Sequence, residues 1–397
     1  MNPPKPPPKP VIIIIQQYLE KWFAYRYNIV TGKIEYQCLE CDSWVEMEDY
    51  DYNSLLKKIQ ETGTNFSIGA LRNLLKSDFV PRFDPFRSYF ESLPIWDGKT
   101  DYIGKLGATV QTIEDVFWQQ CFKKWIVAAV ACLLDDKVTN HTMIIFTGEQ
   151  GIGKTTWSEK LVPEQLIKYM YSGLINPDNK DTLAYLTQCF LVIVDELETL
   201  TRRQLGSLKH LITKTKVKYR PPYGYVTEDF PRRASFFASI NDKEFLTDLT
   251  GSRRFLTFEV LDFISNHGIN LDNVYAQAFA LWKSGFKFWF DRDEIIEINK
   301  NNEEYRVKSI EEEIILSMYE PCERGMETDR KTASEILAEI HQNNKNNINN
   351  WNLINLGKLL KHLGFIQYKS GGRLFYYVRA RNINQSIYST GYNEQHN

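Results

Sequence analysis

MIIFTGEQGIGKTTW, residues 143–157, is the stretch that decides the fold. Its first four residues form an unbroken apolar run, as a strand buried on both faces of a parallel sheet should. A glycine-bearing turn follows, and KTTW can then open a helix. The turn fits G-x-x-x-x-G-K-T, with Gly148, Gly153, Lys154 and Thr155 in the required places and Gly151 and Thr156 alongside. Glycines let the backbone curl so that successive N–H groups point at phosphate oxygens, and a helix N-terminus adds its positive end. Lys154 would reach the β- and γ-phosphates, and the Thr155 hydroxyl would hold Mg²⁺. The strand before and the helix after separate this reading from a chance Gly-rich turn. The expected class is α/β.

Three later stretches add chemistry. In CFLVIVDELETL, residues 190–194 read as a second buried strand ending in Asp195-Glu196. There Asp195 would hold the metal and Glu196 would orient and deprotonate the attacking water. Taken alone, the pair could equally cap a helix. In RRASFFASIN, residues 235–240 form a third such run ending at Asn241, whose amide could bind the attacking water or the γ-phosphate. By itself, an Asn after a strand is a turn former. In LTGSRRFLTFEV, Arg253 and Arg254 precede a strand over 255–260. Adjacent arginines on such a loop can reach a neighbouring subunit's γ-phosphate, or can be surface arginines with no such role.

Between Asp195 and Asn241 lies a basic stretch. From Thr201 to Arg233 there are nine Lys/Arg against Glu228 and Asp229, a balance of 9 − 2 = +7. Lys214, Lys216, Lys218 and Arg220 alternate, which at strand period puts them on one face. A turn at Pro221-Pro222-Tyr223-Gly224 follows, with Tyr219, Tyr223 and Tyr225 around it. A basic hairpin with tyrosines at its tip suits a phosphate backbone plus base stacking. Lysines protecting a solvated strand edge are the alternative.

The remainder sets the frame. The 397 residues suffice for two or three domains, and 14% aromatic content is more than a disordered chain would carry. A net charge of −2 leaves any nucleic-acid surface local. Six scattered cysteines suit reduced thiols and a cytoplasmic protein. The start, MNPPKPPPKP, cannot form a signal h-region, and the apolar run at 11–15 is too short for a membrane span. Residues 1–10 read as a disordered Pro-rich leader. A small α+β unit over 11–84 would hold a helix over 11–25, with Ile14, Tyr18, Trp22 and Tyr25 on one face, a hairpin around Thr31-Gly32, and short helices at 55–59 and 68–75. Cys38 and Cys41 form C-x-x-C, but with no second ligand pair nearby they read as reduced thiols, not zinc ligands. A long helix over 113–134 would pack on the sheet through Phe117, Cys121, Trp125, Ala128 and Cys132, with Trp118 in the core. The nucleotide-binding core would run over 85–319. Residues 330–381 give helix, helix and a hairpin at Ser370-Gly371-Gly372, the order of a winged helix. Its recognition helix would lie over 356–363 with Lys369 and Arg373 on the wing, reading DNA or holding a protein partner. Residues 382–397 read as a disordered tail.

FESLPIWDGKTDYI, GEQGIGKTTW, VIVDELE, RPPYGY with PRRASFFASIN, and TGSRRF, in that order, resemble the virulence-associated E (VirE/VapE) proteins of phages and mobile elements. The resemblance covers residues 85 to 290 and implies an AAA+-like P-loop core related to superfamily 3 helicases. It implies ATP and Mg²⁺ as cofactors and a role in replication of element DNA. Asn241 then falls at the sensor position, Arg253 or Arg254 at the finger, and the family's basic hairpin on 218–225. Relatives are often fused to a primase. The residues ahead of the core are too few for one, so priming would come from a separate protein. The expected function is an ATP-dependent helicase or translocase acting on single-stranded or forked DNA as a homo-oligomeric ring, a hexamer. The rival is a DNA-binding ATPase switch or scaffold that does not unwind. A P-loop kinase would instead need an acceptor pocket in place of the Arg253-Arg254 loop.

Overall fold

The computed structural model describes residues 9–220, 226–246, 252–264, 268–323, 329–343 and 352–381. Two compact units emerge: Met1–Lys243 with Arg253–Asn301, and Glu244–Ser252 with Asn302–Asn397.

The first unit is built on a six-stranded sheet. Its strands are β1 (Val110–Thr112), β2 (Met143–Thr147), β3 (Met170–Gly173), β4 (Leu191–Val194), β5 (Ser235–Ser239) and β6 (Phe255–Phe263). They lie in the order β1-β6-β2-β5-β4-β3, all parallel except β1, which runs antiparallel to β6. Every residue of β2, β4 and β5 is buried, which is why these strands read as unbroken apolar runs.

Helix α1 (Asp115–Leu134) packs on this sheet. Trp118 is fully buried, stacks on Phe122 at 4.8 Å and donates its indole N–H to the Gly107 carbonyl at 2.8 Å. Trp118 is a core residue, as read from the sequence.

Residues 11–84 carry a separate small core around Ile15, Leu19, Tyr25, Leu55 and Leu71. The helix Val11–Trp22 ends three residues short of the expected 25, because Phe23–Asn28 pairs with Ile34–Cys38 as a strand. Its inward face is also displaced by one position. Ile15 and Leu19 are buried, whereas Ile14 and Trp22 are 43% and 50% exposed. A run of five consecutive β-branched residues offers no contrast from which to read helical phase. The other helices run Asp49–Glu61 and Ile68–Leu75. Buried Glu35 ties this part to the sheet-bearing part. It accepts from Arg26 (2.6 Å), Asn28 (2.8 Å) and Lys168 (2.6 Å), and Asn28 also donates to Tyr169 at 2.7 Å. Burial pushes the Glu35 carboxyl up, but these hydrogen bonds outweigh it and hold it below the ordinary range. Cys38 and Cys41 are free thiols, and no cluster of three or more metal-ligating side chains occurs among the described residues.

In the second unit, helices Ala333–Asn343 and Leu353–His362 are followed by strands Gln367–Ser370 and Arg373–Ala380, which pair antiparallel. Asp329–Thr332 and Tyr319–Pro321 flank the last strand. Helix Ile310–Met318, expected to complete the sheet-bearing core, belongs here: Ile315 and Met318 pack with Ile336, Leu356 and Val378. Among the described residues no helix is long and apolar enough to cross a membrane.

Candidate active site

The loop after β2 is shaped by its glycines. Gly148, Gly151 and Gly153 all have positive φ. At Gly148 a Cβ would lie 2.6 Å from the Val260 carbonyl oxygen, so the approach of β6 admits no side chain there. Gly153, with φ 100°, caps α2 (Lys154–Glu159). At six residues α2 is short, so its dipole would contribute little and the loop N–H groups would be the main donors to any anion held there.

Lys154 is buried with its ammonium donating to the carbonyls of Gly148 and Glu149, both at 2.8 Å, and to Asn241 Oδ1 at 3.2 Å. Burial lowers its proton affinity, opposed by the Glu198 charge. Thr155 Oγ1 donates to Asp195 Oδ1 at 2.9 Å and lies 3.0 Å from Ser239 Oγ. Ser239 Oγ donates to the same Asp195 oxygen at 3.1 Å. Three strand ends thus converge: Lys154 and Thr155 beyond β2, Asp195 beyond β4, and Ser239 with Asn241 at β5. Thr156, next on α2, is exposed.

This oxygen cluster suits a hard divalent cation, because Mg²⁺ takes carboxylate and hydroxyl ligands in a small octahedral shell. Thr155, Asp195 and Ser239 would hold it. Glu196 is exposed, with φ 51°, the one non-glycine residue with positive φ among those described. That backbone costs on the order of 1–3 kcal/mol, and such strain clusters at functional sites.

Arg253 and Arg254 lie elsewhere. β6 pairs with β2 in parallel, Phe255 opposite Met143 and Glu259 opposite Thr147. The arginines precede β6, whereas the glycine loop follows β2. They therefore stand at the opposite edge of the sheet, about 16 Å away along a five-residue strand. There His141, which leads into β2, is held below the ordinary histidine range by burial and by the charges of Arg232, Arg254 and Arg253.

The basic stretch divides. Strands Lys216–Tyr219 and Glu228–Pro231 do form an antiparallel hairpin, with Lys216 and Lys218 exposed on one face. Arg220 is exposed too, but Lys214 caps α3 (Arg202–Thr213) instead of joining the strand. Tyr223 and the tip, residues 221–225, lie outside the described residues. Asp229 stands opposite Lys218, which dilutes the basic face. Tyr219 packs inward on Phe230 at 4.9 Å. Three of the nine cations are not surface charges. Lys209 is 6% exposed, and the Arg233 side chain is 11% exposed beside Asp136. Arg232 is 1% exposed and donates to the carbonyls of Asn140 (2.9 Å), Ile212 (2.8 Å) and Ala234 (2.6 Å). It joins the hairpin base to β5 and α3. A charge count along a sequence cannot see burial of this kind.

Ser239 and Glu198 are the site residues that the sequence reading missed. Ser239 had a usable signal, since it shares a strand face with Asn241 two positions on. Glu198 had none, because its placement depends on the turn at Glu196.

The family model for the virulence-associated protein E-like domain matches residues 90–307. No curated protein matches the sequence. Among solved structures, the apo structure of the NrS-1 C-terminal region (305-718) is similar, with TM-score 0.50 at 14% identity over 94% of this chain and 100% of that one. An A-form apo structure of the same region gives 0.49 at 14% identity, with the same coverage. At that identity the likeness is one of fold alone. With more than half of its length matched by the family model, the chain belongs to the virulence-associated protein E-like family.

Proposed function

We propose that this chain is a Mg²⁺-dependent ATPase of the AAA+ type, related to superfamily 3 helicases, that works as a DNA helicase or translocase in the replication of a phage or mobile element. The observation that carries the reading is the convergence of Lys154, Thr155, Asp195 and Asn241, from three separate strand ends, within hydrogen-bonding reach. In open α/β sheets the crevice outside the strands' carboxyl ends is where ligands bind, and the convergence lies there.

On this reading the loop N–H groups and Lys154 bind the β- and γ-phosphates, leaving the carbonyls that Lys154 now engages. Thr155, Asp195 and Ser239 hold the metal, which would neutralise charge developing on the phosphate oxygens. Glu196 takes a proton from the attacking water. Arg253 or Arg254 serves the neighbour's site, so the active form is a homo-oligomeric ring, taken as a hexamer. Lys216, Lys218 and Arg220 contact the backbone of single-stranded or forked DNA. The compartment is the cytoplasm.

The test is ATP turnover with and without single-stranded DNA, beside unwinding of a forked duplex. DNA-stimulated turnover with strand separation is expected. Turnover that ignores DNA would instead favour an ATPase switch or scaffold.

A further inference from the structure

Asn241 sits between two groups of opposite hydrogen-bonding character. On one side its Oδ1 accepts from the Lys154 ammonium at 3.2 Å. On the other, Glu198 Oε1 accepts from the Asn241 backbone N–H at 3.3 Å and from its Nδ2 at 3.4 Å. An ammonium only donates, and an ionised carboxylate only accepts. An asparagine amide can flip, exchanging its oxygen and nitrogen, but between these two partners only one orientation satisfies both. Glu198 is well placed to impose it. The carboxylate is half-buried, and its second oxygen, Oε2, is buried with no hydrogen-bond partner among the described residues.

We infer that Glu198 is a positioning residue that fixes the Asn241 amide with Nδ2 turned away and Oδ1 facing Lys154 and the glycine loop. The consequence, which rests on the ATPase reading above, is a choice between two roles for Asn241. A loop-facing Nδ2 would donate to the γ-phosphate. A loop-facing Oδ1 repels phosphate oxygens but accepts an O–H from water. Once Lys154 engages phosphate, Oδ1 is left to orient the attacking water. Glu198 therefore assigns Asn241 to water, not to phosphate.

An exchange of polarity tests this. Asn241→Asp sets two carboxylates against each other and should lower kcat roughly 10–100-fold, the scale of a misplaced reactant. Adding Glu198→Gln supplies an amide donor to the new carboxylate and leaves an acceptor facing the loop. That double variant should recover most of kcat, with the KM for ATP within about threefold of wild type throughout. Glu198→Ala alone should lower kcat without raising KM, and Glu198→Gln alone should stay close to wild type, since its amide oxygen still accepts. If Asn241 donates to phosphate, Asn241→Asp stays inactive in either background and the inference falls. A near-normal Glu198→Ala overturns it as well. Both results leave the ATPase reading standing. A wild-type chain that neither binds nor hydrolyses ATP overturns that reading, and this one with it.

Discussion

The two edges of the central sheet are built from the same strands but carry opposite chemistry. At the carboxyl edge, beyond β2, β4 and β5, Lys154 donates to Asn241, Asn241 donates to Glu198, Thr155 and Ser239 donate to Asp195, and Lys243 pairs with Glu259. At the amino edge Arg232, Arg253 and Arg254 crowd His141, and the hairpin emerges from the Arg232 clamp. Parallel strands make this separation unavoidable. Residues that follow a strand and residues that precede its neighbour cannot share an end. On the proposed reading, a chain so arranged would hold a nucleotide-binding half-site at one edge and cations for a neighbouring subunit's phosphates at the other.

The largest effects should separate the edges outright. Lys154→Ala should abolish ATP binding, measured by a fluorescent nucleotide; unchanged affinity would remove the nucleotide role of the carboxyl edge. Arg254→Ala and Arg253→Ala, made singly, should leave ATP binding intact. One of them should cut turnover about 10³-fold or more, as loss of a finger does. The distance between the edges makes a further demand. Neither variant can work alone, yet mixing Lys154→Ala subunits with subunits of the inactive arginine variant should restore turnover, because a mixed interface pairs an intact loop with an intact arginine. Mixtures as inactive as their parts would mean that the arginines do not act across subunits.

The two edges also differ in how legible they were. The carboxyl edge could be read because fully buried strands announce themselves as apolar runs, and Asp195 and Asn241 stand where those runs end. Glu198 escaped because a positive φ at Glu196 is a tertiary choice that no local propensity favours. The amino edge was read by charge, and charge misled. Arg232 and Lys209 look like surface cations in the sequence, yet the fold buries both. The separation of Arg253-Arg254 from the glycine loop follows from the strand order and register, which the sequence does not spell out. The helix Val11–Trp22 shows the same limit in miniature: its apolar run specified a helix without specifying which side faces inward.

A smaller effect should come from the hairpin. Replacing Lys216, Lys218 and Arg220 together by Gln should weaken single-stranded DNA binding and lower the slope of log K against log salt by up to about 2, on the scale of roughly 0.7 per phosphate contact. Asp229 opposite Lys218 sharpens the comparison. Asp229→Asn should strengthen binding slightly. Unchanged affinity in the triple variant would leave the lysines as protection for a strand edge.

The smallest effect concerns pH. Because the folded state holds His141 below its ordinary value, the folded chain binds fewer protons there than the unfolded chain does. Stability from this source is therefore present above the ordinary histidine range, near 6.5, and is lost as pH falls through it. His141 is exposed enough for solvent and salt to screen the three guanidinium charges, which keeps the effect small. Thermal unfolding at low salt should show a modest fall in Tm from pH 7.5 to 5.5, flattened by His141→Gln and reduced by added salt. Arg253→Ala should flatten it as well, since it removes one of the charges responsible. If neither substitution alters the pH profile, the cations of the amino edge are too well solvated to act on one another, and the contrast between the edges lies in their ligands rather than in their fields.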